Sequence, residues 1–297
     1  MKKFPIVEKR KVWFMLSGLV ILVGLFSMFT KGFNLGIDFT GGTLIELKFN
    51  KVITVEEVRD VLKTHNLENS IIQLTNATDK ETNDTVLIRT AVLDETVRKA
   101  VTEDLGAKIG QFDILRIENV GAVIGGEITR QAALAIAASW LMMIAYITWR
   151  FEFRFAISAI MALLQDVIAV LTFFSLFQVE IDATFVAALL TVIGFSINNT
   201  IVIFDRVREN LRSYKRSEPL ASMVDRSIWQ TMTRSLYTVM TVLFVTVSLY
   251  IFGGDTTKNF ALALIVGFTF GTYTSIFCAG SFWTEFNMRR KGALKNA

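Results

Sequence analysis

The 297-residue chain is 52% hydrophobic and 12% aromatic, with a mean hydropathy of +0.47. That is too apolar for one soluble domain, and the apolar residues fall in long blocks that read as membrane helices. The net charge of +4 is modest and its basic residues crowd beside the apolar blocks, a topology signal rather than a nucleic-acid footprint. One cysteine, Cys278, and one histidine, His65, exclude an intramolecular disulfide, a thiolate cluster and a His/Cys metal centre. His65 reads as a surface residue, and no cofactor is called for.

In chain order, residues 12–30 form the first apolar run, behind Lys2, Lys3, Lys9, Arg10 and Lys11. It is long enough to span and no small-residue cleavage site ends it, so it is expected to be a retained anchor. Residues 31–128 then turn polar and charged. Here 43–49 alternates as a strand, Thr54 and Glu57 make a capping box ahead of Val58, Val61 and Leu62, and 70–74 and 85–90 are strand-like. Residues 94–105 carry helical spacing at Val97, Val101 and Leu105, and 112–117 closes as a strand. The order βαββαβ predicts a split, ferredoxin-like α+β domain inserted between the first and second spans.

Apolar runs follow near 131–149, 156–178, 183–204, 235–252 and 260–283, giving five further spans within 129–284 and a basic tail over 285–297. The N-terminus, the 150–154 turn, the 206–226 segment and the tail with Arg289, Arg290, Lys291 and Lys295 are basic. The 178–182 turn has no basic residue and 253–259 only Lys258. Six alternating helices put all the basic segments on one side, so both termini are expected in the cytoplasm and the 31–128 domain outside.

Few residues within the spans bear chemistry. Asp166 lies about ten residues into its span, near the bilayer midplane at 1.5 Å rise per residue. It reads either as a hydrogen-bond acceptor between helices or as a titrating or ion-pairing group. Arg234, at the start of the fifth span, is either an interfacial anchor or a functional cation. On the fourth span Phe195, Asn198, Asn199, Val202 and Asp205 or Arg206 share a face, and Ser196 and Thr200 extend a polar patch. The patch serves either as helix–helix glue or in transport. Gly194, Ala183, Ala187 and Ala188 are expected to let neighbouring helices approach. No Gly-x-Ser-x-Gly, His-Glu-x-x-His or Walker sequence occurs, and the GGDT at 253–256 falls in a short turn. Asp166 and Asp205 lie at different depths, which argues against a protease dyad, so no enzyme is expected.

Three ordered segments resemble the SecD/SecF family, and SecF members in particular. They are NLGIDFTGGTLIELKF at 34–49, GFSINNTIVIFDRVREN at 194–210 and SIWQTMTRSLYTVMT at 227–241. With six spans and one external domain, the resemblance covers essentially the whole chain. It implies a multi-pass subunit of the bacterial cytoplasmic (inner) membrane, related in architecture to the RND exporters. Such a subunit pairs with SecD and uses a proton or sodium gradient to help draw a preprotein out of the SecYEG channel, with YajC or YidC as further partners and lipid around it. The Gly36, Gly41 and Gly42 cluster, with Asp38, matches the family's glycine-rich junction and suits a tight, re-aimable turn.

Two departures matter. Where the family motif has Asn-Asp this chain has Asn198-Asn199, and Gln165 stands where SecF often has His. An amide keeps the shape of a protonated acid but does not titrate. Three explanations follow: Asp166 with the SecD partner supplies the acid, the coupling ion differs, or Asn199 is a replacement. The first is preferred, with Arg234 as the charge partner of Asp166 in one state. The coupling candidates are therefore Asp166, Asn199, Arg234, Asn198, Ser196, Thr200 and Asp205. The competing readings are half of an RND-type small-molecule or lipid exporter, and a passive scaffold subunit that conducts no ions.

Overall fold

The computed structural model describes residues 4–75, 84–214 and 218–293. Lys2, Lys3 and Lys295 lie outside these limits, as do the side chains of Arg289, Arg290 and Lys291. The chain divides into two compact units, Leu35–Ala133 and Met1–Asn34 with Leu134–Ala297.

In the first unit a short helix, α2 (Ile37–Thr40), is followed by β1 (Gly42–Phe49), α3 (Val55–Lys63), β2 (Ile71–Thr75), β3 (Thr85–Thr90), α4 (Glu95–Lys108) and β4 (Phe112–Val120). The strands form one antiparallel sheet in the order β2-β3-β1-β4. Ile45, Leu47 and Phe49 of β1 pack with Val58, Val61 and Leu62 of α3 and Val101 and Leu105 of α4. The alternation of β1 is weaker in burial than in sequence, because strands flank it on both sides and nearly all its residues are buried.

Thr54 caps α3 as its sequence predicts. The Thr54 N–H donates to Glu57 Oε2 at 2.9 Å and the Glu57 N–H to Thr54 Oγ1 at 3.3 Å. The bonds from the Thr54 backbone and hydroxyl hold the Glu57 carboxyl below its ordinary pKa. His65 is less exposed than expected of a surface residue: its Nε2 lies 2.9 Å from Asp104 Oδ2, joining the end of α3 to α4. Of the junction glycines, Gly41 (φ +71°) and Gly42 (φ +135°) occupy backbone that disfavours side chains, and a Cβ on Gly42 would sit 2.5 Å from Thr90 O. Gly36, at φ −70°, uses no such freedom.

Six helices among the described residues are long and apolar enough to cross a membrane. They are α1 (Arg10–Thr30), α5 (Ala122–Arg150), α6 (Phe153–Phe177), α7 (Ala183–Arg212), α8 (Leu220–Phe252) and a last span over Thr256–Met288. That last span comprises α9 (Asp255–Tyr273), a π turn (Thr274–Ala279) and most of α10 (Gly280–Ala293). Several helices outrun their apolar stretches, since backbone bonding continues into the polar zone. Arg206 bonds Glu209 at 2.5 Å and Gln230 at 2.7 Å, and Asn210 bonds Ser227 at 2.8 Å, tying the polar ends of α7 and α8 together.

Half or more of α6, α7 and the last span is buried, whereas α5 and α8 are mostly exposed. At one end of the bundle Phe155 stacks on Trp283 at 4.7 Å and meets Phe204 at 5.1 Å. The buried Ile6 and Val7 join this cluster, held by the Val7 N–H donating to Asp225 Oδ1 at 2.7 Å. Close helix approach is not made at Gly194, whose Cβ position is open. It is made at Gly267, where a Cβ would lie 2.2 Å from Val192, and at Gly271, where it would lie 3.1 Å from Ser196. The glycines that let α9 onto α7 are thus on α9, while Ala188 of α7 is fully buried.

Candidate functional site

Asp166 falls at the middle of α6 and is fully buried. A carboxylate there requires partners, because nothing in lipid would solvate it. Ser196 of α7 donates to its Oδ2 and Thr274 of the π turn to its Oδ1. The network continues: Thr200 Oγ1 lies 2.9 Å from Ser275 Oγ, and Ser275 Oγ donates to Ser196 O at 3.3 Å. Gly271 leaves the space for Ser196. The π turn is a locally widened helix, a feature frequent at functional sites, and it presents the consecutive Thr274 and Ser275 both inward.

The structure thus joins Asp166, Ser196 and Thr200 in one network. Asn199 faces elsewhere. It is buried, its Nδ2 has no hydrogen-bond partner, and it lines a pocket of about 30 Å³ with Phe195, Asn198, Val202, Arg234 and Thr238. Arg234 and Asn198 are exposed on the open side. Arg234 therefore stands with the two asparagines rather than beside Asp166, whose acceptor oxygens are held by hydroxyls. Asp205 belongs to neither group: it pairs with Arg150 at 3.3 Å near the end of α7. Gly36, Asp38, Gly41 and Gly42 lie in or beside α2 of the other unit. Among the described residues, no cluster of three or more His, Cys, Asp or Glu side chains could hold a metal ion.

Sequence reasoning missed Thr274 and Ser275. The available signal was a run of small and hydroxyl residues, GTYTS at 271–275, inside an apolar block, the same kind of interruption that marked 196–200.

Six apolar helices with a buried intramembrane carboxylate define a multi-pass membrane protein. The chain belongs to the SecD/SecF family. The family model described as "Protein export membrane protein SecD/SecF, C-terminal" matches residues 99–289, and "SecD/SecF GG Motif" matches residues 26–51. The chain is 50% identical to "Protein translocase subunit SecF" of Acidaminococcus fermentans over 98% of its length and 100% of that protein's. It is 42% identical to the protein of the same description in Sebaldella termitidis, covering 92% of this chain and 89% of that one. Its structure matches the crystal structure of SecDF from Thermus thermophilus with a TM-score of 0.87 and 32% identity, covering 96% of this chain and 39% of that one. SecDF in a super-membrane-facing form matches with a TM-score of 0.71 and 32% identity, covering all of this chain and 40% of that one. The chain spans about two fifths of the length of these SecDF chains.

Proposed function

We propose that the chain is a SecF-type, non-enzymatic subunit of the Sec accessory complex, coupling an ion gradient to protein translocation together with a SecD partner. The observation that carries this reading is Asp166, a mid-span carboxylate held only by hydroxyls from two other helical elements. A carboxyl so placed gains or loses a proton or a small cation when those elements shift. One charge crossing 100 mV supplies about 2.3 kcal/mol, enough to bias such a shift. The Asn198–Asn199–Arg234 pocket between α7 and the mostly exposed α8 favours a partner subunit on that side, which brings the acid that position 199 lacks.

The finer assignments belong to the same proposal. The SecYEG channel and the emerging preprotein are the working partners, with YajC or YidC alongside. The membrane is the bacterial inner membrane, with both termini cytoplasmic. The organisation is span 1–30, external domain 31–128, spans 129–284 and basic tail 285–297. The sheet order β2-β3-β1-β4 with its two crossover helices supports a ferredoxin-like reading of the external domain.

The test is gradient-dependent export and ion flux by the complex reconstituted in vesicles. Asp166→Asn is expected to abolish the gradient-dependent part of both while leaving the complex assembled. Unchanged export and flux would make Asp166 structural. Loss of flux with export retained would favour the passive scaffold.

A further inference from the structure

Between α1, α6 and α9 the bundle leaves a recess of about 220 Å³, open on the side where Leu16 and Thr269 are exposed, that the ion-coupling reading does not use. The sequence explains why it exists. Near one end of α1, Gly24 meets Thr172, where a Cβ would lie 1.8 Å from the hydroxyl, and Ser27 Oγ lies 2.9 Å from Ser175 Oγ. Near the other end Trp13 packs on Phe277 with ring centroids 4.4 Å apart, and Tyr273 donates to Trp13 O at 3.0 Å. Between these two attachments, Ser17, Val20 and Ile21 face Gln165 and Ala169 of α6 and Phe270 and Tyr273 of α9 across a gap.

The lining is apolar apart from a few polar atoms, and most of those already have partners. Ser17 Oγ lies 3.4 Å from both Tyr273 Oη and Cys278 Sγ, Thr269 donates to Ile265 O at 2.7 Å, and Thr274 donates to Asp166. Gln165 is different: its Oε1 is buried without a donor. A water there would find few free groups to complete its two to four bonds. A cavity of about 150 Å³ holds a benzene ring, so this recess takes a ring with a short substituent. No cationic side chain lines it, which disfavours an anion.

We propose that this recess is a binding site for a small aromatic alcohol, the ring lying against Phe270 and Tyr273 and the hydroxyl donating to Gln165 Oε1. The site adjoins the Asp166 network through Thr274 but is defined by its own shape and its unmet acceptor. It does not depend on the ion-coupling reading.

The test follows 4-fluorophenol by fluorine NMR on the full chain in nanodiscs, beside 4-fluorotoluene and 4-fluoroanisole, which lack the donor. Saturable one-site binding of the phenol is expected, roughly tenfold tighter than either analogue, since an unmet buried acceptor is costly. Gln165→Leu should collapse that preference while 4-fluorotoluene still binds. Ala169→Leu from α6 and Val20→Phe from α1 should each abolish saturable binding, with melting curves reporting that the variants fold. The proposal is overturned if no probe saturates, which would leave at most an ordered water. It is overturned equally if the anisole binds as tightly as the phenol, or if the folded filled variants still bind it.

Discussion

Asp166 and Asn199 lie in neighbouring helices, both buried, yet their surroundings differ in kind. Around Asp166 each carboxylate oxygen accepts from a hydroxyl, and the hydroxyls come from α7 and the π turn of the same chain. Around Asn199 the amide nitrogen has no acceptor, and the nearby cation, Arg234, is exposed. The first region is complete within the chain, whereas the second leaves the Asn199 amide nitrogen unmet. Under the proposed function a partner subunit meets that shortfall. The packing agrees, since α6, α7 and the last span are buried against one another while α8 is mostly exposed.

The largest effect should come from breaking the complete region. Asp166→Leu removes the acceptor of both Ser196 and Thr274 and is expected to destabilise the chain by about 2–3 kcal/mol, read by denaturation in mixed micelles. Thr274 has Gly271 O as a second acceptor at 3.2 Å, so Ser196 bears most of the loss. Gly267→Leu attacks the packing beneath that region: with Val192 only 2.2 Å from the new Cβ, α9 must move off α7, at about 2 kcal/mol by the same measurement.

A control outside both regions is Thr54→Ala, expected to cost about 1 kcal/mol through the lost cap of α3, with no effect on ion flux. The capping box also sets a pH dependence. Because the folded state lowers the Glu57 pKa, its contribution is present above the unfolded carboxyl value and is lost as pH falls through the folded one. Glu57→Gln should flatten that acid-side slope in thermal melts.

The smallest stability effect is expected at the incomplete region. Asn199→Leu removes an unmet donor and should leave the isolated chain unchanged or up to about 1 kcal/mol more stable. Its cost should appear in co-purification with the partner subunit. A clear loss of stability in the isolated chain would mean that the amide is satisfied internally, and the contrast with Asp166 would fail.

Much of this architecture was legible from residue patterns. The six spans follow from apolar length, and the α/β unit from the capping box at Thr54 and the alternation of its strands. The polar patch on the fourth span was visible because Ser196, Asn199 and Thr200 interrupt a run of apolar residues. How the patch divides was not. Ser196 and Asn199 are one helical turn apart, and which hydroxyl or amide meets which neighbour depends on rotation and packing that one helix does not specify. The hydroxyl run GTYTS at 271–275 was visible, but nothing in it marks a π turn that brings Thr274 and Ser275 inward together. Gly194 looked like a contact point in sequence, but which face of α7 meets α9 was decided by Gly267 and Gly271 on the other helix.

Cys278, within hydrogen-bonding reach of Ser17 beside the recess, is the chain's one cysteine and is fully buried. A thiol reagent added to the folded protein therefore finds no native target. One cysteine introduced on the open face of α8, or on an exposed strand of the sheet, becomes a unique attachment point for a probe. Distances from such a label can then be measured without stripping any native residue from the chain.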